Sequence, residues 1–112
     1  MSEPKTDIPY GTLDLLILQT LSTMGAMHGY RLARRMEQVS GDLLRLNQGS
    51  IYPALIRLEQ ARLIATEWSV SETNRKVKVY ALTKLGKKRL ETEVAKWHET
   101  TLLVDRFLEA KP

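Results

Sequence analysis

Two short runs in the middle of the chain alternate apolar and polar residues, and their position between stretches of helical periodicity restricts the fold more than any other feature. Ile64, Thr66, Trp68 and Val70 interleave with Ala65, Glu67 and Ser69, and Val77, Val79 and Ala81 interleave with Lys76, Lys78 and Tyr80. A period of two marks a half-buried strand, because successive side chains leave a strand on opposite faces. The polar residues 71–75 join the runs into one hairpin. They include no glycine, so Asn74 is the residue best suited to the positive φ of a tight turn. The remainder reads as helix, which predicts a mainly α domain with one small β-hairpin.

Three helical segments precede the hairpin. The first opens at Thr12, a candidate cap, with Asp14 in its first turn and Leu13, Leu15, Leu16, Ile17, Leu18, Leu21 and Met24 following until Gly25. It is apolar nearly all round, so it needs cover on more than one side, and a second subunit is the natural source. His28-Gly29-Tyr30 opens the second helix, in which Leu32, Ala33, Met36 and Val39 recur at helical spacing up to Gly41. Asn47 is a candidate cap for the third, with Ile51, Leu55 and Leu58 as its inward stripe. Pro53 lies within it and lacks a backbone donor, so the first turn must bend or form late. After the hairpin a long helix runs from Lys84. Its residues Leu90, Val94, Trp97, Thr101, Val104 and Leu108 are spaced 4, 3, 4, 3 and 4 apart, a seam of coiled-coil spacing. Residues 1–9, with two prolines and mixed charges, read as a flexible segment.

At 112 residues the chain provides one domain of core. Residues 10–84 form its compact part and residues 85–112 a dimerisation helix. Residues 28–90 hold 13 basic and five acidic side chains, net +8, whereas residues 91–112 hold three basic and five acidic, net −2. A basic middle favours an anionic partner and an apolar, acidic tail favours self-assembly. Absence of cysteine removes disulfides, thiolate nucleophiles and Cys-ligated zinc, and agrees with a cytoplasmic location. Residues 1–9 carry no leader pattern, and the longest uninterrupted apolar run, residues 15–18, is far short of the roughly 20 residues that span a membrane. His28 and His98 are the only histidines, and neither has companions at metal-ligand or triad spacing. No catalytic residue, metal ligand or cofactor is expected.

Three helices followed by a cationic hairpin is the order of a winged helix-turn-helix, whose third helix enters the major groove while the wing reaches phosphate or a minor groove. Away from its inward stripe the third helix presents Ser50, Pro53 and Arg57, with Tyr52 at the edge and Gln48 near its start. Arg57 can grip a phosphate or a guanine edge. Ser50 can equally cap the helix and Tyr52 pack against the core, and Arg75, Lys76 and Lys78 can equally be a solvated edge that blocks strand-on-strand association. Trp97, in the middle of the last seam, offers a flat face for a planar ligand, or packs as plain core.

The chain resembles the PadR-like transcriptional regulators. The likeness lies in Gly11-Thr12-Leu13, in His28-Gly29-Tyr30, in Gly49-Ser50-Ile51-Tyr52-Pro53-Ala54-Leu55-Ile56-Arg57-Leu58-Glu59, and in Tyr80-Ala81-Leu82-Thr83 followed by Gly86, spread over residues 8–108. It implies a homodimeric repressor of a palindromic promoter site that a small aromatic molecule releases in many members. The chain looks like the short branch, in which a single C-terminal helix is swapped onto the partner. On the same resemblance Gln48, Ser50, Tyr52 and Pro53 touch DNA, Tyr30 and Arg34 lie toward its backbone, and the wing cations Arg75, Lys76 and Lys78 lie outside. Leu16 of the first helix joins Leu90, Val94, Trp97, Thr101, Val104 and Leu108 in the dimer interface. The wing departs from the family pattern: Asn74 replaces a glycine-containing tip, and Val79-Tyr80 replaces paired aromatics. A winged-helix module that holds a protein instead of DNA is the alternative, although the third helix offers it only Tyr52 and Ile56 as apolar anchors.

Overall fold

The computed structural model describes residues 11–46 and 48–112, with residues 48 and 49 described through their backbone alone. The flexible segment expected at residues 1–9 and the cap expected at Asn47 lie outside the described residues. In chain order the elements are α1 (Thr12–Met24), β1 (Met27–His28), α2 (Gly29–Val39), α3 (Gln48–Gln60), β2 (Ile64–Val70), β3 (Lys76–Leu82) and α4 (Lys84–Glu109). The expected helices and hairpin are all present.

Helix α1 is not capped by Thr12. Gly11 holds the N-cap at a φ of 87°, a left-handed conformation that favours glycine, and no side chain caps the helix. At the other end the N–H of Gly25 bonds the carbonyl of Leu21. Helix α2 starts as its sequence suggests, with His28 at the N-cap accepting the N–H of Arg31 on Nδ1 at 3.3 Å. The linker to α3 is tied back to α2: Ser40 Oγ accepts the N–H of Leu44 at 3.0 Å, and a Glu37 carboxylate oxygen accepts that of Leu46 at 2.8 Å. These bonds fix where α3 begins. Pro53 falls inside α3, where it gives no hydrogen bond to the carbonyl of residue 49, and its ring is exposed.

The sheet has three strands, in the order β1-β3-β2, all antiparallel. The additional strand, β1, pairs Met27 with Tyr80 and His28 with Val79. Two residues are too few to display an alternation, so nothing in the sequence announces it. In the hairpin Thr66 faces Tyr80, Trp68 faces Lys78 and Val70 faces Lys76. Asn74 takes the left-handed turn position at a φ of 62°. The deeply buried residue of β3 is Tyr80, whereas Val77, Val79 and Ala81 are only half-buried. The expected inward face of that strand is therefore reversed: Tyr80 packs beneath α2 and α3, with its ring edge 3.5 Å from where a Cβ on Gly29 would stand.

Residues from every helix and strand meet in one core. Ile17, Leu18 and Leu21 of α1, Leu32 and Met36 of α2, Ile51, Ala54, Leu55 and Leu58 of α3, and Ile64, Tyr80 and Leu90 are all buried there, and no described polar or charged residue other than Tyr80 is. The root of α4 is locked into this body. Thr83 Oγ1 accepts the N–H of Gly86 at 2.9 Å and points its own hydroxyl at the carbonyls of Arg62 and Leu63, 2.7 and 3.1 Å away. The N–H of Thr83 also bonds the Leu63 carbonyl, at 3.1 Å. Gly86 is buried against that carbonyl oxygen. Beyond Thr100 the helix leaves the body. The radius of gyration is 16.2 Å, against the ~13 Å of a compact domain of this length. No described helix is long and apolar enough to cross a membrane.

Candidate nucleic-acid interface

Burial sorts the faces of α3. Ile51, Ala54, Leu55 and Leu58 are inside, leaving Ser50, Tyr52 and Pro53 exposed near its start and Ile56 and Arg57 exposed further along. The backbone of Gln48 opens the helix, and its side chain lies outside the described residues. On α2, Tyr30 is 68% exposed and Arg34 is also exposed. Tyr30 lines two grooves. One, of about 250 Å³, runs along α2 past Arg34 to Leu46 and Ile51. The other, of about 200 Å³, lies between α2, α3 and the hairpin and brings Tyr30, Tyr52, Lys78 and Tyr80 together. Residues on α2, the first turns of α3 and the hairpin thus share one surface.

Arg57 is turned elsewhere. Its guanidinium donates to Asp14 on α1 at 2.8 Å, an ion pair with about half of the Arg57 side chain still exposed. It therefore braces α3 against α1 rather than standing beside Tyr52.

The hairpin is latched to α3 through Glu59. Thr66 Oγ1 donates to one carboxylate oxygen at 2.7 Å, and Lys78 Nζ lies 3.4 Å from the other. The Thr66 hydrogen bond, aided by Lys78, holds the Glu59 carboxyl below the usual carboxylate range although partial burial opposes it. Burial pushes the phenol of Tyr80 up. At the tip, Ser71 pairs with Arg75 through backbone and side chain, and Arg75 and Lys76 are exposed. Lys76 Nζ sits 5.8 Å from the ring centre of Trp68, and Lys78 Nζ sits 5.9 Å from that of Tyr80.

The seam of α4 divides in two. Leu90 is buried and Val94 half-buried against the chain's own core, as is Leu16 of α1. Trp97, Val104 and Leu108 are exposed, together with Leu102, Leu103 and Phe107, and Thr101 spends its hydroxyl on the Trp97 carbonyl at 2.9 Å. Trp97 lines a depression of about 250 Å³ between the start of α1 and α4, with Leu15, Glu93 and Lys96. Among the described residues no cluster of His, Cys, Asp or Glu fits a metal ion.

The model of the transcriptional regulator PadR-like family matches residues 17–92, from α1 into α4. The chain belongs to the PadR-like family of transcriptional regulators. A PadR family transcription regulator from Clostridium difficile is 32% identical and superposes with a TM-score of 0.74 over 88% of this chain and 99% of its own. A PadR family regulator from Eggerthella lenta is 29% identical, with a TM-score of 0.79 over 90% of this chain and 85% of its own. An uncharacterized 37.1 kDa protein in transposon Tn4556 of Streptomyces fradiae is 36% identical over 96 residues, which are 86% of this chain and 25% of that protein. The chain thus spans a quarter of that relative's length. The PadR-like fold is the winged helix expected from the sequence, and the family is one of regulators, not enzymes.

Within this PadR-like chain, three features were not visible in the sequence. Glu59 holds the wing to α3, Asp14 occupies Arg57, and Trp68 stands on the wing 62% exposed. The first two depend on which residues face one another across elements, and no local pattern encodes that. Trp68 falls on the apolar side of an alternating run, and the run continues outward past the point where the body ends.

Proposed function

We propose that the protein is a homodimeric, DNA-binding transcriptional repressor, acting in the cytoplasm, that occupies a palindromic promoter site and leaves it when a small planar aromatic molecule binds against Trp97. Residues 10–84 form the reading unit and residues 85–112 the dimerisation helix. The supporting observation is the surface on which Tyr30, Tyr52 and Lys78 meet, with Arg34 and Ser50 also exposed nearby in sequence and the same helices buried beneath. The first turns of α3 enter the major groove, where Gln48, Ser50, Tyr52 and Pro53 reach base edges and backbone. Tyr30 and Arg34 meet the phosphate backbone, and Arg75, Lys76 and Lys78 meet phosphates beside the groove. Arg57, occupied by Asp14, acts by holding α3 at its angle.

The exposed half of the α4 seam, from Trp97 to Leu108, is the surface a second copy covers, with Val94, Thr101 and Leu16 at its margin. Leu90 serves the chain's own core. The depression beside Trp97 then lies next to the dimer contact, where a flat aromatic ligand stacks on the indole and alters how the subunits sit. Gel-shift titration at about 150 mM salt, with the DNA upstream of the protein's own gene against random duplex, tests the reading. Selective binding supports it, and equal affinity for both refutes it.

A further inference from the structure

Trp68 is the largest side chain on the hairpin and stands mostly in solvent. It is 62% exposed, and Val70, on the same face two residues outward, is 64% exposed. An isolated exposed leucine or valine is ordinary, whereas an exposed tryptophan at a structured position leaves a large apolar area in water and is typical of binding surfaces. Its position is fixed by its neighbours. Trp68 pairs across the ladder with Lys78, and Lys78 reaches Glu59 on α3, so the indole stands on the α3 side of the wing. The Lys76 ammonium rests 5.8 Å from the ring centre, and Arg75 is adjacent and exposed. A flat apolar ring with Lys76 over it and Lys78 opposite it on the neighbouring strand suits a partner that offers apolar faces and negative charge at short, regular spacing. The sugar-phosphate backbone of a duplex does so, with deoxyribose against the indole and phosphate against the ammonium groups.

We propose that Trp68 is a DNA-contacting residue, seated on the sugar-phosphate backbone beside the groove that α3 enters, with Lys76 at its side holding the adjoining phosphate. This rests on the proposed reading of duplex DNA and extends it to a residue that neither the charge pattern nor the family resemblance marks. The contact is apolar and reads no base, so it adds affinity without sequence preference.

The test is a titration of the full-length protein with its upstream duplex and with random duplex, read by gel shift and by tryptophan emission with acrylamide quenching. Expected are an emission change and protection from acrylamide in the wild type at saturating duplex, both lost in Trp68→Phe. Trp68→Ala should weaken binding to both duplexes by the same factor, about fivefold to tenfold, on the scale of one aromatic contact. Its thermal midpoint should stay at the wild-type value, because the ring is exposed. The slope of log affinity against log salt should also stay unchanged, whereas Lys76→Ala should make it shallower by about 0.9, the loss of one phosphate contact. Wild-type affinity in Trp68→Ala, or selective DNA binding with Trp68 still open to acrylamide, overturns the inference and leaves the DNA-binding reading intact. Protection by an acidic peptide but not by duplex also overturns it. Failure to bind any duplex selectively overturns both.

Discussion

Replacing Gly86 with alanine adds one methyl group at the root of α4, and the structure makes it among the costliest small changes in the chain. The new Cβ would fall far inside van der Waals contact distance of the Leu63 carbonyl oxygen, 3.0 Å from that carbonyl carbon and 2.7 Å from Leu82 Cδ1. A leucine methyl can rotate away; this carbonyl cannot, because it already accepts the N–H of Thr83 and faces its hydroxyl. Overpacking of this kind costs about 1–3 kcal/mol, and a backbone obstacle places it near the top of that range. Alanine returns about 1 kcal/mol as the better helix former. The expected net loss is about 2 kcal/mol, which for a domain of this size lowers Tm by roughly 6–12 °C. Thermal unfolding followed by circular dichroism at fixed protein concentration measures it, with Gly29→Ala as the control. There the added Cβ meets only Tyr80 Cε2 at 3.5 Å and Leu55 Cδ1 at 3.9 Å, ordinary contact distances. A Gly86→Ala protein that melts at or above the wild-type temperature would refute the account of this junction.

Arg57→Ala should cost about 1 kcal/mol of stability, since its pair with Asp14 is only partly exposed to solvent, and should leave the salt slope of DNA binding unchanged; a shallower slope would make Arg57 a phosphate contact. Glu59 has a folded pKa below its unfolded value, so its contribution is complete above the usual carboxylate range and is lost as pH falls through the lowered folded value. Urea midpoints measured down the acid range should therefore drop less steeply in Glu59→Gln than in the wild type, and parallel curves would remove Glu59 from the latch. Leu108→Asp places a charge at a position 77% exposed in the single chain, so the protein should fold normally yet sediment as a monomer. An unchanged dimer would move the interface away from the end of α4. Titration with planar aromatic compounds should quench emission in the wild type, and Trp97→Ala should abolish their binding as measured by calorimetry.

What the sequence conveyed and what it withheld divide along a physical line. Periodicity marks which side of an element is apolar, so helices, hairpin and the α4 seam were all legible. Backbone chemistry is local as well, which is why Asn74 was recognisable as the residue for the left-handed turn. Periodicity does not say what covers an apolar side. Leu90 and Leu108 occupy equivalent seam positions, yet one is buried by the chain's own core and the other is 77% exposed. The same silence hid the orientation of β3, where Tyr80 turns inward because α2 and α3 close over it. Charge composition was similarly blind to pairing: it offers Arg57 as a cation for DNA and does not show Asp14, 43 residues earlier, beside it.

The junction at Leu63 gives α4 the mechanics of a lever. A single carbonyl receives the last residue before the helix, and Gly86 lets the helix axis lie directly on that point. From there 26 residues extend about 39 Å. A tilt of about 5° at the root would displace the far end by about 3 Å over that length, and a matching shift at the far end would swing the reading unit through the same angle. Two such levers joined at their tips would turn a ligand-sized disturbance between subunits into a mismatch with the roughly 34 Å repeat of successive major grooves.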